Sequence, residues 1–299
     1  MSSIALVKRN LKLFLRDRAT VFFSFLSTII LVSLYFLFIA RSYTLGMDNP
    51  EMGGIALKLT EQSKNFLVYL QMMAGVLVLN SMSLATGVFG TIAKDFEEKR
   101  IDGFMLTPIS TIKMITSYFL TGVLTSFVLN VFTWTLSTVI IGAVTGYWIN
   151  FGIFFAVILV LFVASLISSG IMLLITSLVK SSAAIGVVGG VSGTFFGFLC
   201  GIYMPYSGLG EGTKMIGSFL PFTHLTIWLK QVVLNDAFAQ LEITGEMKTV
   251  LNGDFFSAEN IGFAGISAPM WALIIGCVGF GILCLMLSCF VLNKRIKKQ

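Results

Sequence analysis

The chain has 299 residues, of which 56% are hydrophobic and 11% are charged, and its formal net charge is +6. Soluble domains carry about a quarter charged residues, so this composition excludes an ordinary soluble domain and indicates a membrane protein. The positive balance fits basic flanks beside anionic lipid head groups, and it requires no nucleic acid partner.

The first predicted element is an amphipathic segment over residues 1–20. On a helix that turns about 100° per residue, five apolar side chains share one face, basic side chains occupy the neighbouring arc, and Leu6 and Leu13 fall off the apolar face. The five apolar residues are Ile4, Val7, Leu11, Phe14 and Leu15. This pattern favours a helix that lies along the inner membrane surface. The alternative is a basic flank that only sets the orientation of the chain.

Six uncharged runs are long enough to cross a hydrocarbon core of about 30 Å, which takes roughly 20 helical residues. They cover residues 21–40, 66–93, 114–142, 151–179, 181–204 and 269–292. Because lipid offers no hydrogen-bond partner, each run must satisfy its own backbone, as a helix does. No small-residue cleavage site precedes the first run, so we expect a permanent helix there. The sequence therefore predicts an all-α polytopic fold, with one transmembrane domain over residues 1–299.

The distribution of basic residues predicts the orientation in the membrane. Six spans place both termini on one side, and 14 of the 20 Lys and Arg residues then lie on that side. Loops on the cytoplasmic side of a membrane are enriched in basic residues. We therefore expect a multi-pass protein of the cell membrane with both termini in the cytoplasm.

A charged segment, residues 94–113, separates the second and third predicted spans. Charges of both signs follow one another from Lys94 to Asp102, and Gly103 and Pro108 interrupt the segment. Such a segment at the inner surface of the membrane suits docking to a cytoplasmic protein. The alternative is a solvated loop with local ion pairs, which stabilise a protein very little.

A row of glycines lies in the fifth predicted span, at Gly189, Gly193, Gly197 and Gly201. Small residues let helices approach closely in lipid. Each step of four drifts by about 40° around an ideal helix, so the row winds. It could face another chain, a translocated molecule or a neighbouring span of the same chain.

The largest predicted outer segment covers residues 205–268. Its centre, MIGSFLPFTHLTIWLKQVVLND, is apolar enough to enter the edge of the bilayer, but Pro221 interrupts it. We expect a re-entrant or interfacial helical pair before the last span. The alternative is a small folded cap that packs these side chains internally.

The sequence offers no catalytic or metal-binding constellation. Cys200, Cys277, Cys284 and Cys289 lie in apolar spans without ligand spacing, and the single histidine, His224, is expected to have a hydrogen-bonding role. The glycine-rich stretch SGLGEGTK departs from a phosphate-binding loop. The spans lack the ionisable residues that proton-coupled transporters use, although sodium coupling through neutral oxygens remains open. We expect neither enzyme activity nor a bound cofactor in this chain.

Two motifs resemble a known family. The stretch EEKRIDGFMLTPIS after the second span and the stretch LPFTHLTIWLKQ before the last span, together with six spans and a basic amphipathic N-terminal helix, resemble the permease subunits of type-2 ABC exporters. The resemblance extends over essentially the whole chain. In that family the charged motif forms a coupling helix that docks on the ATPase subunit. The corresponding residues here are Glu97, Glu98, Lys99, Arg100, Asp102, Gly103 and Pro108.

The resemblance implies a partnership of two permease chains, identical or different, with two separate ATPase subunits that bind ATP and Mg. It implies a substrate path between the permeases, for which we expect Asn80, Asn130, Phe195 and Phe196, and a dimer seam that includes the glycine row. The cargo would be hydrophobic or amphipathic, such as a drug, a peptide antibiotic or a lipid, exported across a bacterial plasma membrane in multidrug or antibiotic resistance. The alternatives are a secondary transporter or channel that works without an ATPase, and a membrane scaffold or immunity protein.

Overall fold

The computed structural model describes residues 3–34, 40–47, 59–100, 103, 110–179, 181–201, 208–263 and 266–296. Nearly all of these residues are helical, and none of them forms a β-strand beyond one isolated bridge between Phe263 and Ile266. The predicted all-α fold is confirmed. Asp102 and Pro108, two of the predicted coupling residues, lie outside the described residues.

The described residues form eleven α-helices. They are α1 (Ser3–Arg16), α2 (Arg18–Leu34), α3 (Ala40–Met47), α4 (Glu61–Glu97), α5 (Thr111–Thr145), α6 (Phe151–Leu178), α7 (Ser182–Leu199), α8 (Glu211–Ser218), α9 (Pro221–Gln240), α10 (Gly245–Val250) and α11 (Met270–Ile296). A π-helical turn, Leu251–Phe255, follows α10.

Five of the six predicted spans coincide with helices that are long and apolar enough to cross a membrane, namely α4, α5, α6, α7 and α11. The first predicted span, residues 21–40, corresponds to α2, which is apolar and has 17 residues up to Leu34. Residues 35–39 lie outside the described residues. At about 1.5 Å per residue, α4 is about 55 Å long, so it extends beyond a hydrocarbon core of about 30 Å.

Short polar side chains start the long helices. Thr60 caps α4 by accepting a hydrogen bond from the backbone N–H of Ser63, and Ser110 caps α5 through the N–H of Lys113. Ser181 caps α7 in the same way through Ala184. Such caps satisfy backbone donors that a helix leaves unpaired at its first turn. The helices therefore begin in the polar connections that separate the apolar runs.

Helix α4 is the centre of the bundle. It packs against α2, α3, α5, α6, α7 and α9. In its most apolar stretch 83% of the residues are buried, compared with 17% in α7 and 22% in α5. Since large apolar side chains of the peripheral helices remain exposed, these helices present their outer faces to lipid.

Helix α1 packs against α5. The face that it buries there differs from the apolar face that the sequence predicted. Leu6, predicted off the apolar face, is only 2% exposed and is buried together with Asn10 and Phe14. Ile4, predicted on the apolar face, is 79% exposed. The prediction assumed a single apolar face in contact with lipid, whereas α1 has one side against protein and an adjacent apolar side open to the exterior.

The outer segment contains the predicted helical pair, interrupted at Pro221. Helix α8 ends at Ser218, and Pro221 occupies the first turn of α9, where its missing N–H costs no hydrogen bond. Helix α9 packs against α4, α6 and α11, and most of its residues are buried. Helix α9 is therefore an integral part of the bundle, whereas only the last two residues of α8, Gly217 and Ser218, are buried.

Candidate functional site

The C-terminal end of α4 gathers most of the described charged groups that contact one another across helices. We call this region the α4 junction and define it by Lys94, Asp95, Glu97, Glu98 and Arg100. It lies at the start of the charged segment, and its side chains bond to α1, to the start of α2 and to α7. Each of these contacts ties the segment to a different part of the bundle.

Asp95 is the buried centre of the α4 junction, with 3% exposure. The guanidinium of Arg9 on α1 donates to both carboxylate oxygens, from NH1 to Oδ2 at 2.8 Å and from NH2 to Oδ1 at 3.2 Å. NH1 of Arg100 lies 3.7 Å from Oδ1 of the same carboxylate. Bidentate pairs of this kind fix geometry as well as charge. Burial by itself lowers the pKa of Arg9, but the hydrogen bond and the charge of Asp95 outweigh burial and raise it.

Lys94 connects the α4 junction to the start of α2. Its Nζ lies 3.5 Å from Oδ2 of Asp17, the residue between α1 and α2. Asp17 also caps α2, because its carboxylate accepts hydrogen bonds from the N–H of Thr20 at 3.0 Å and from the Thr20 hydroxyl at 2.7 Å. These hydrogen bonds from Thr20, the hydroxyl first, hold the pKa of Asp17 below its usual value. The carboxylate is therefore charged and in place at neutral pH.

Glu97 connects the α4 junction to α7. Its Oε2 accepts hydrogen bonds from the backbone N–H of Ser182 at 3.1 Å and from the Ser182 hydroxyl at 2.6 Å. A carboxylate at a helix N-terminus is stabilised by the positive end of the helix dipole. A residue predicted to contact an ATPase is thus bonded to the first turn of α7, so that α4 and α7 are linked at this point.

The chain turns sharply directly after α4. Lys99 has a φ of 53°, in the left-handed region that non-glycine residues rarely adopt. Arg100 forms an ion pair with Glu98. Glu98, Lys99, Arg100 and Gly103 are all exposed, so they are available to a partner protein.

Sequence reasoning missed the two residues that hold the α4 junction together, Arg9 and Asp95. A signal for Asp95 was present, because Leu84, Val88, Ile92 and Asp95 recur at steps of four, four and three, which places all of them on one buried face of α4. A carboxylate that continues a buried apolar face needs a cationic partner. The sequence did not show that this partner comes from α1.

A groove lined by small side chains lies directly above the α4 junction, between α2, α4 and α7. We call it the small-residue groove. It has a volume of about 540 Å³, Lys94 lies at one end, and its lining includes Thr20, Ser24, Ser83, Thr86, Gly186 and Gly190. Its volume lies within the range of about 300–1,000 Å³ that is usual for small-molecule sites.

The predicted glycine row does not form one continuous seam. A Cβ added at Gly189 would collide with the side chain of Thr86 on α4, so this glycine permits close packing within the chain. Around Gly193 an added Cβ would meet no atom within 4 Å. Gly197 is buried, and Gly201, with a φ of 67°, ends α7. The winding that was predicted separates these positions, so only Gly193 and its exposed neighbours Gly186 and Gly190 remain open to a second chain.

Asn80 and Asn130, predicted for a substrate path, cross-link three helices. The Asn80 amide donates to Oδ1 of Asn130 at 3.0 Å, and its carbonyl oxygen accepts from the hydroxyl of Thr28 on α2 at 2.6 Å. Asn130 donates to Ser81 Oγ at 2.6 Å and to the carbonyl of Leu77 at 3.0 Å. Both side chains are buried and their amides are occupied by these bonds. We call this set the asparagine network. The role of Asn80 and Asn130 in a substrate path stays a prediction.

The predicted pair of phenylalanines divides between two environments. Phe195 is 52% exposed on the outer face of α7. Phe196 is partly buried, and its ring centroid lies 5.0 Å from that of Phe222 on α9. Phe196 therefore packs inside the bundle, and only Phe195 is open to a ligand or to a second chain.

Two buried polar side chains of the outer segment, His224 and Lys230, bond to backbone carbonyl groups. His224 bonds through Nε2 to the carbonyl of Ser218 at 2.8 Å. Lys230 donates to the carbonyls of Phe256 at 2.9 Å and of Gly201 at 3.3 Å. In the part of the chain that the structure describes, no three His, Cys, Asp or Glu residues come together in a way that could hold a metal ion.

Comparison with known proteins identifies one family. The family model described as ABC-2 family transporter protein matches residues 55–290. The match extends over most of the chain and includes the α4 junction, α7 and the outer segment. No curated protein matches the chain significantly.

Proposed function

The chain belongs to the ABC-2 family of transporter proteins, as a membrane permease subunit, and we propose that it exports a hydrophobic or amphipathic substrate with energy from a separate ATPase. The substrate class we propose is a drug, a peptide antibiotic or a lipid. The ATPase would carry ATP and Mg. The working unit would contain two permease chains in a bacterial plasma membrane, with the termini in the cytoplasm.

The observation that carries the proposal is the α4 junction. One charged end of the central helix bonds to α1 through Asp95, to the start of α2 through Lys94 and to α7 through Glu97. Glu98, Lys99 and Arg100, at the end of the same region, are exposed, and Arg100 also lies near Asp95. A partner that displaces the charged segment would therefore move several helices together.

The distribution of charge in the spans supports an external energy source. No Asp, Glu, Lys or Arg occurs between residues 114 and 179 or between residues 181 and 210. Proton-driven carriers need ionisable groups inside the membrane. These spans lack such groups, which favours work delivered from outside the bilayer.

We propose that the substrate path includes the small-residue groove. It lies between α4 and two of the helices that the α4 junction contacts, α2 and α7, so movement of α4 would change its shape. Its apolar walls and hydroxyl groups suit an amphipathic molecule. The open glycines of α7 would lie at the contact with the second permease chain. ATP can shift the conformational equilibrium only by binding the two states of the complex unequally.

Exchange of the charges at positions 98 and 100 tests the docking surface. The double variant Glu98→Arg with Arg100→Glu keeps an ion pair and the net charge, but reverses the pattern offered to the ATPase. We expect the ATP hydrolysis that copurifies with the tagged chain to fall at least tenfold. The matched control is Glu246→Lys with Lys248→Glu on α10, which has the same spacing and should retain the activity.

Two outcomes would contradict the proposal. Unchanged copurification of ATPase activity in the 98/100 variant would remove the docking assignment. Transport into liposomes that contain this chain alone, without a nucleotide-hydrolysing partner, would overturn the proposed function and favour a secondary transporter or channel.

A further inference from the structure

A second groove, of about 650 Å³, runs between α2 and α5 on the outside of the bundle. We call it the α2–α5 groove. Its walls include Phe22 and Ile29 of α2 and Phe132, Leu136 and Ile140 of α5, and all five side chains are exposed. Met73 of α4 also lines it. An exposed apolar surface of this kind usually has a ligand or a partner.

The shape of the α2–α5 groove suits an extended hydrocarbon chain. Its lining on α2 extends from Arg18 to Ser33, which corresponds to about 22 Å along the helix. The groove is therefore long enough for an extended hydrocarbon chain that lies along α2.

Three of the four hydroxyl groups that line the α2–α5 groove already donate to acceptors within the protein. The Thr28 hydroxyl donates to Asn80, the Thr133 hydroxyl donates to the carbonyl of Leu129 at 3.0 Å, and the Ser137 hydroxyl donates to the carbonyl of Thr133 at 2.7 Å. Each of these hydroxyl groups already donates its hydrogen bond to an acceptor within the protein. The middle of the groove therefore favours an apolar ligand without hydrogen-bonding groups.

Positive charge marks one end of the α2–α5 groove. Arg18 lines that end, next to Leu15 of α1. The exposed side chains Lys8, Lys12 and Arg16 form the basic arc of α1. Among the described residues, none of these four cations pairs with a carboxylate. No charged residue lines the other end.

We propose that the α2–α5 groove binds an acyl chain of an anionic phospholipid whose head group is held by Arg18 and the basic arc of α1. An apolar groove with cations at one end matches the two parts of such a lipid. Each basic residue near an anionic membrane surface contributes about 1 kcal/mol, or roughly a fivefold preference. The inference is independent of the proposed transport function, because it concerns a lipid that binds whether or not the protein transports a substrate.

Bound lipid in the purified chain tests the proposal. Native mass spectrometry of the detergent-solubilised protein, incubated with equal amounts of phosphatidylglycerol and phosphatidylcholine, should show retention of phosphatidylglycerol. The variant Ser137→Phe fills the groove and should abolish this retention. Thr135→Phe, on an exposed face of the same helix outside the groove, is the matched control and should keep it.

A second variant separates the head group from the acyl chain. Arg18→Gln leaves the apolar walls intact, so the protein should still retain phospholipid but lose about fivefold of its preference for the anionic lipid. Arg41→Gln on α3 removes an exposed charge away from the groove and should leave the preference unchanged.

Three outcomes would overturn the proposal. Equal retention of both lipids by the wild type would remove the charged part of the site. Equal lipid retention by Ser137→Phe and Thr135→Phe would remove the groove. A disulfide between two copies through Ser137→Cys, absent with Thr135→Cys, would instead identify the groove as an interface between permease chains.

Discussion

Lys230 lies in α9 and is only 1% exposed. It has no carboxylate partner among the described residues, and its Nζ donates to the carbonyls of Gly201 and Phe256. These carbonyls lie at the end of α7 and directly after the π-helical turn, so one side chain joins three parts of the outer segment. Burial lowers the pKa of Lys230 to about 8.

This pKa predicts a pH dependence of stability. An exposed lysine in the unfolded chain has a pKa of about 10.4. Between about pH 8 and about pH 10.4 the unfolded chain binds more protons at this residue than the folded chain, so the contribution of Lys230 to stability rises with pH. In Lys230→Met this rise should be absent. The wild type and the variant should therefore differ in their free energy of unfolding, and this difference, wild type minus variant, should increase from pH 7 to pH 9. Thermal unfolding in detergent measures it.

The control for this prediction is Lys248→Met on α10, a lysine that is not fully buried. The stability difference between wild type and this variant should stay constant over the same pH range. A constant difference for Lys230→Met as well would mean that Lys230 is not desolvated in the folded protein.

The asparagine network shows how far single residues could be predicted. The sequence identified Asn80 and Asn130 as polar groups within apolar spans, and the structure confirms that both lie inside α4 and α5. Their role as a link between helices was not predicted, because it depends on how each helix is rotated about its axis. Two buried amides that face each other satisfy one another, whereas the same residues turned outward would line a path.

At the scale of elements, α7 shows that a repeated residue type can serve two surfaces. Gly189 contacts α4, and Gly190, one residue later, is exposed with no atom near an added Cβ. Successive helical residues are separated by about 100°, so the two positions face different neighbours. The drift of the row was predictable, but the position of α4 relative to α7 was not.

A pair of alanine substitutions tests this division. Gly189→Ala should lower the free energy of unfolding by about 1–3 kcal/mol, because the added methyl group collides with Thr86 and forces α4 and α7 apart. Gly190→Ala adds the same methyl group in open space and should be neutral or stabilising by up to about 1 kcal/mol. Thermal unfolding of the purified variants measures both. Equal effects of the two substitutions would contradict the packing of α7 on α4.

Helix α1 shows why its buried face was missed. The residues of α1 fall into three arcs, one against α5, one apolar and exposed, and one basic. A sequence pattern separates apolar from charged residues, but it does not distinguish lipid from protein as the apolar surroundings. Leu6 was therefore misassigned, whereas the amphipathic helix itself was predicted correctly.

At the scale of the whole molecule, the spans were the most predictable feature. Charged groups are costly in lipid, so runs without them identify the membrane helices. The contacts between helices that are distant in sequence were not predictable in this way. Arg9 and Asp95 are separated by 86 positions, and only the packing of α1 beside α4 and α5 brings them together.

This long-range pair predicts a variant that weakens coupling. Arg9→Ala would leave the buried Asp95 without its main partner, and loss of one member of a buried pair costs about 3 kcal/mol or more. We expect reduced thermal stability, together with loss of substrate-stimulated ATP hydrolysis in the complex with the ATPase. Addition of Asp95→Asn to Arg9→Ala should restore part of the stability, because it removes the unpaired charge.

Arg16→Ala on the exposed side of α1 is the control, and a surface substitution of this kind changes stability by less than about 0.5 kcal/mol. Arg9→Ala with full stimulation of ATP hydrolysis would show that α1 does not take part in coupling.

The length and anchoring of α4 have a mechanical consequence. The helix extends over 37 residues without a proline, and Asn80, bonded to α2 and α5, lies near its midpoint. We expect a straight helix with such a fixed point near its centre to tilt about that point when one end is displaced. A push on the end at Glu97 would therefore swing the end at Glu61 in the opposite direction, so one face of the bundle would open while the other closes.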